Sequence, residues 1–143
     1  MNKAQKMIST FLILSVLVIG ILFGVYFYKL KNSETCKAYK ISDEDAGSLP
    51  ADIIFYYSTT CPHCKIVEEF MQNNSIESKM NIIQKEIFLN KTAADEMIKL
   101  QTLCKIPAEY IGAVPLLYAE KSCYLGDKDI ICILKEKILE KNA

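Results

Sequence analysis

Two cysteines three residues apart, Cys61 and Cys64, enclose Pro62 and the chain's single histidine, His63. The uncharged run Ile53 to Tyr57 lies just before them, and Ile66, Val67, Phe70 and Met71 follow at helical spacing. Pro62 fits the first helical position, where its missing N–H is no loss, so Cys61 stands at the mouth of a helix. A thiol attacks a disulfide only as its thiolate, and the unpaired N–H groups and dipole of a helix start stabilise that charge. Cys64, one turn further on, is placed to attack the mixed disulfide that Cys61 would form and so release the partner. His63 can favour the thiolate by a hydrogen bond or, when protonated, by its charge. The chemistry these residue types support is thiol-disulfide exchange.

Two metal readings compete with it. A Cys-x-x-Cys pair can hold zinc, but a zinc site takes four ligands, and no second pair of this kind accompanies Cys61 and Cys64. A non-enzymatic metallochaperone passing copper between thiolates is the other alternative, marked by tight Cu(I) binding without dithiol exchange.

The elements that must position the motif can be read along the same stretch of chain. Ile53 to Tyr57, β-branched and aromatic, suits a strand covered on both faces. Asn81 to Leu89 reads as a strand at a sheet edge, because Lys85 and Glu86 interrupt it. Ala93, Met97, Leu100 and Cys104 recur with helix periodicity. Val114 to Ala119 and Ser122 to Leu125 read as a hairpin around Glu120 and Lys121, and Asp127 to Glu140 as a closing amphipathic helix. The expected fold is α/β, in the order βαβαββα, with a central four-stranded mixed sheet and flanking helices.

Upstream, Ile8 to Tyr28 carries no charged residue and is long enough to cross a bilayer as a helix. A cleaved signal peptide would have a shorter apolar region and a small-residue cleavage site, whereas this run ends in Val25, Tyr26, Phe27 and Tyr28. The chain thus divides into an uncleaved membrane anchor over 1–28, a polar linker over 29–51 and a folded domain over 52–143. With 17 basic and 17 acidic residues in 143, it lacks the basic excess of a nucleic-acid binder.

Strand, then Cys61-Pro62-His63-Cys64 opening a helix, then Val114-Pro115 before a hairpin, resembles the thioredoxin-like superfamily over the whole of 52–143. In that family the proline after the second helix is cis and faces the dithiol. The resemblance implies that Val114 and Pro115, bordered by Thr60, line a substrate groove beside Cys61, and that the partners are protein thiols and disulfides. The dipeptide between the cysteines and the valine before Pro115 resemble the oxidising DsbA-like proteins, whereas the short domain is similar to a glutaredoxin. Gly126, Asp127 and Asp129 fall where glutaredoxins hold a glutathione carboxylate, but Leu125 and Lys128 depart from that segment. The expectation is therefore no cofactor beyond the cysteine pair, with glutathione as the alternative. Phe55 stands where thioredoxins and DsbA-like proteins carry a buried acid. A reductase or isomerase fed by a membrane redox partner is the alternative activity.

Six cysteines in a small anchored protein suit a compartment where disulfides persist. Flanking lysines do not choose the orientation: Lys3 and Lys6 precede the apolar run, while Lys29, Lys31, Lys37 and Lys40 follow it and by count favour a cytosolic domain. The cysteines and the oxidant-like dipeptide place the domain outside the membrane. A second, structural disulfide between Cys104 and Cys123 would brace the loop that carries Pro115; other pairings, Cys36 with Cys132 among them, are open at this level.

Overall fold

The structure, a computed structural model, describes residues 14–26, 35–42 and 52–141. The chain divides into two compact units, Met1–Thr35 and Cys36–Ala143. In the first, residues 14–26 form a helix, α1, whose large apolar side chains are exposed. Among the described residues no helix is long and apolar enough to cross a membrane. The ends of the expected span, residues 8–13 and 27–28, lie outside the described residues, as do 29–34 and 43–51 of the expected linker.

In the second unit the elements run β1 (Tyr39–Lys40), β2 (Ile53–Tyr57), α2 (Pro62–Asn73), α3 (Ile76–Lys79), β3 (Ile82–Glu86), α4 (Lys91–Leu103), a 3₁₀ turn (Ala108–Tyr110), β4 (Leu116–Ala119), β5 (Ser122–Leu125) and α5 (Asp127–Lys141). The strands form one mixed sheet in the order β1-β5-β4-β2-β3, with β2 and β3 parallel and the other pairs antiparallel. Lys85 and Glu86 thus lie on an edge strand, where outward-facing charge is tolerated and discourages further pairing. The sheet alternates its side chains between two cores. Ile54, Tyr56, Leu116 and Tyr118 pack with Met97 and Leu100 of α4, whereas Phe55, Leu117 and Ala119 pack with Val67 and Met71 of α2 and with Ile130, Ile133 and Leu134 of α5. Burial on both faces is why β2 and β4 contain no charge.

The four-stranded expectation is corrected to five strands by a segment read as part of the linker. Tyr39 and Lys40 pair with Cys123 and Ser122, and Ile41 N–H donates to the Lys121 carbonyl at 3.0 Å. The compact unit accordingly begins at Cys36, not at Asp52. Polar composition hid this strand because only Ile41 is deeply buried, at 7 % exposure, and because its other anchors depend on distant partners. Cys36 is bonded to Cys132 of α5 across a Cα separation of 5.6 Å, and Lys37 N–H donates to Asp129 Oδ1 at 3.0 Å.

Candidate functional site: a helix-capping dithiol beside a proline loop

After Tyr57 the chain leaves the sheet and turns once before α2. Ser58 organises the turn: its carbonyl accepts from Cys61 N–H at 3.0 Å, and its hydroxyl lies 3.0 Å from that of Thr60 and accepts from Thr60 N–H at 3.3 Å. Such side-chain bonds to nearby backbone offer the chain an alternative to continuing the strand. Cys61 is the N-cap of α2, with Pro62 in the first turn behind it. Its sulfur takes the place of a capping oxygen, accepting from Cys64 N–H at 3.2 Å. The two sulfur environments differ. Cys61 is partly exposed, and its thiol points to the Val114 carbonyl oxygen at 3.7 Å, whereas Cys64 is fully buried. Burial, and next the hydrogen bond to Cys61, pushes the Cys64 thiol up to about 12, since a low-dielectric pocket disfavours the thiolate. These two are the chain's free thiols; the other four cysteines are paired.

Opposite the dithiol lies the loop between α4 and β4. The Val114–Pro115 peptide bond is cis, Pro115 is buried, and its carbonyl accepts from Gly126 N–H at 3.0 Å. Gly126 has φ +91, a conformation that glycine adopts without strain, and it turns the chain from β5 into α5. That turn brings Asp127, at the start of α5, to His63: Nδ1 and Oδ1 stand 3.3 Å apart, with the imidazole 67 % exposed. Of the residues singled out from the sequence, the structure thus gathers Cys61, Pro62, His63, Cys64, Thr60, Val114, Pro115 and Asp127 around one end of the sheet. Asp129 does not join them, because its carboxylate is engaged by Lys37. Cys104 and Cys123 are joined by a disulfide with a Cα separation of 6.1 Å, each almost fully buried, and tie the end of α4 to β5.

Sequence reasoning missed two members of this arrangement. For Asp127 what the sequence does not show is its pairing with His63, which requires α2 and α5 to pack together. Gln101 was not noted at all. It is fully buried in α4, its Nε2 donates to the Ala113 carbonyl at 2.9 Å, and its Oε1 accepts from Gly112 N–H at 2.7 Å. The signal was a polar side chain four residues after Met97 and three before Cys104, within an otherwise apolar stripe.

The geometry presents one accessible sulfur on a helix start, a second sulfur held under it as a thiol, and a backbone carbonyl against the first. No protein-family model matches the sequence, and no curated protein matches it significantly.

Proposed function

We propose that this chain is a membrane-anchored thiol-disulfide oxidoreductase of thioredoxin-like fold, exchanging disulfides with extracytoplasmic proteins through Cys61 and Cys64. The observation that carries the reading is the unequal pair of sulfurs on the first turn of α2, the outer one facing the carbonyl that precedes Pro115. The strand order, with β2 parallel to β3 and antiparallel to β4, supports the fold assignment. The uncharged run from Ile8 to Tyr28 supports the anchor. Pairing of Cys36 with Cys132 and of Cys104 with Cys123 supports a compartment where disulfides persist.

In the oxidising direction the Cys61–Cys64 disulfide is the reagent. A partner thiolate attacks Cys61 Sγ, a mixed disulfide forms, and Cys64 leaves as a thiolate. Its burial makes it basic, so it takes up a proton from solvent at neutral pH. The partner's second thiolate then attacks its own sulfur in the mixed disulfide, closing the partner disulfide and releasing Cys61. Two electrons pass from the partner to the pair, and no cofactor enters the exchange. The reverse sequence reduces a partner, and the Val114 carbonyl lies where an extended partner chain would pass.

The test is chemical trapping together with a reduction potential. Cys64→Ser should accumulate mixed disulfides at Cys61 with partner proteins, and Cys61→Ser should abolish exchange. A potential nearer the roughly −120 mV of the oxidising proteins than the roughly −270 mV of thioredoxin is expected from the dipeptide between the cysteines. A thioredoxin-like potential would refute the oxidising direction, and trapping that required loss of Cys61 would reverse the roles.

A further inference from the structure

We infer that Gln101 is a positioning residue for partner recognition, holding the peptide before Val114 so that its carbonyl stays aimed at Cys61. This rests on the oxidoreductase reading above and deepens it.

Gln101 is fully buried, on the side of α4 that otherwise presents Met97, Leu100 and Cys104 to the core. A primary amide in such a place is costly unless both of its ends are satisfied. Here both are, and both partners are backbone groups of one loop: Gly112 N–H and the Ala113 carbonyl. Gly112 has φ +88, a turn conformation, so the strand ladder does not reach this peptide and the side chain supplies the partners instead. Val114 is the next residue, and its carbonyl oxygen is 3.7 Å from Cys61 Sγ. Beyond it the Pro115 carbonyl is held by Gly126 N–H. The segment 112–115 is therefore clamped on both sides of Val114, by Gln101 before it and by the turn into α5 after it.

The clamp matters to one kind of partner. An extended polypeptide that aligns along the Val114 peptide depends on the orientation of that peptide. A small disulfide that only collides with Cys61 does not. Loss of the Gln101 amide frees the Ala113 carbonyl, so the Ala113–Val114 peptide can rotate and the Val114 carbonyl can turn away, while the cap of α2 and both sulfurs stay in place.

The experiment compares two reagents side by side at each pH: a small aromatic disulfide, and a cysteine-containing peptide of about ten residues carried as a mixed disulfide. Gln101→Met, similar in length and lacking both hydrogen bonds, should lower the ratio of peptide to small-disulfide rate constants at least tenfold, with the loss in KM for the peptide. Gln101→Glu should show the same loss at pH 8, where its carboxylate repels the Ala113 carbonyl. It should recover the ratio as pH is lowered and the protonated acid can again donate to Ala113 and accept from Gly112. If Gln101→Met does not fold, this recovery in Gln101→Glu carries the test. Equal losses with both reagents, or an unchanged ratio in a folded variant, would overturn the role of Gln101 while leaving the exchange activity standing. A wild-type protein inert to both reagents would instead overturn the oxidoreductase reading, and this inference with it.

Discussion

Cys64 offers the most direct quantitative test of the site. Burial, with the hydrogen bond to Cys61, places its thiol near 12 against the ordinary thiol value of 9.0, so its thiolate is about a thousandfold scarcer at neutral pH. A more basic thiolate is also a better nucleophile. With a Brønsted slope of about 0.4–0.5 toward disulfides, that difference returns a factor of about 15 to 30. Ionisation alone therefore predicts reaction about 30 to 60 times slower than in the unfolded chain, and a side chain with 0 % exposure adds steric protection on top. The perturbation is Cys61→Ala, which removes the competing sulfur and with it the smaller, Cys61-dependent part of the shift, so about 30 to 60 times is the upper bound from ionisation in this variant, while burial, the larger cause, remains. The assay is the initial rate of reaction with a small aromatic disulfide, folded against urea-unfolded, from pH 6 to 10. In the folded protein the rate should climb about tenfold per pH unit through pH 9 without levelling. A folded rate within fivefold of the unfolded one, or a plateau near pH 9, would refute the description of Cys64 as a thiol held protonated beneath Cys61.

The same shift has a stability consequence. A raised thiol value contributes stability that is fully present below about 9 and is lost as pH rises toward 12, so the urea midpoint of the reduced protein should fall over that window, and Cys64→Ala should remove that dependence. The disulfide between Cys36 and Cys132 spans 96 residues, for which loop entropy gives about 4.7 kcal/mol. Cys36→Ala with Cys132→Ala should lower stability by that order and strip hydrogen-exchange protection from Ile41; unchanged protection would show that β1 is held by its sheet pairing alone. The disulfide between Cys104 and Cys123 spans 19 residues and contributes about 3 kcal/mol on the same basis, read from the denaturation midpoint of the double alanine variant. His63 and Asp127 should couple by less than about 1 kcal/mol in a double-mutant cycle, fading with added salt, because the imidazole is mostly exposed. A coupling of several kcal/mol would mean that the pair is shielded from water.

Local chemistry made much of the molecule readable from its residues. Pro62 after Cys61, and the apolar spacing of Val67 and Met71, specify a helix start at that point in any surroundings, because φ of proline and the 3.6-residue period act within one or two turns. The uncharged run of β2 and the periodicity of α4 were legible for the same reason, as was the edge character of β3 from Lys85 and Glu86. Even Glu120 and Lys121, which lack the usual glycine, were recognisable as a turn because both flanking runs are apolar; the structure holds both at positive φ, 49° and 60°.

Other features are properties of residues far apart in the chain, and only packing decides them. Tyr39 and Lys40 are too short a run to read as a strand on their own; they pair because β5 offers an open edge and because Cys36 and Asp129 hold the segment there. Which cysteines bond depends on Cα atoms brought within about 6 Å, and spacing along the chain carries no such information. His63 meets Asp127 only because α2 and α5 cover the same face of the sheet. The unequal character of the two sulfurs is likewise tertiary. Sequence placed both on the first turn of a helix, but it is the depth of Cys64 in the packed domain, and the Val114 carbonyl reaching Cys61 from 53 residues further on, that set one sulfur apart from the other as a protected thiol. Dielectric burial is set by everything that surrounds a group, so no motif of four residues could have disclosed it.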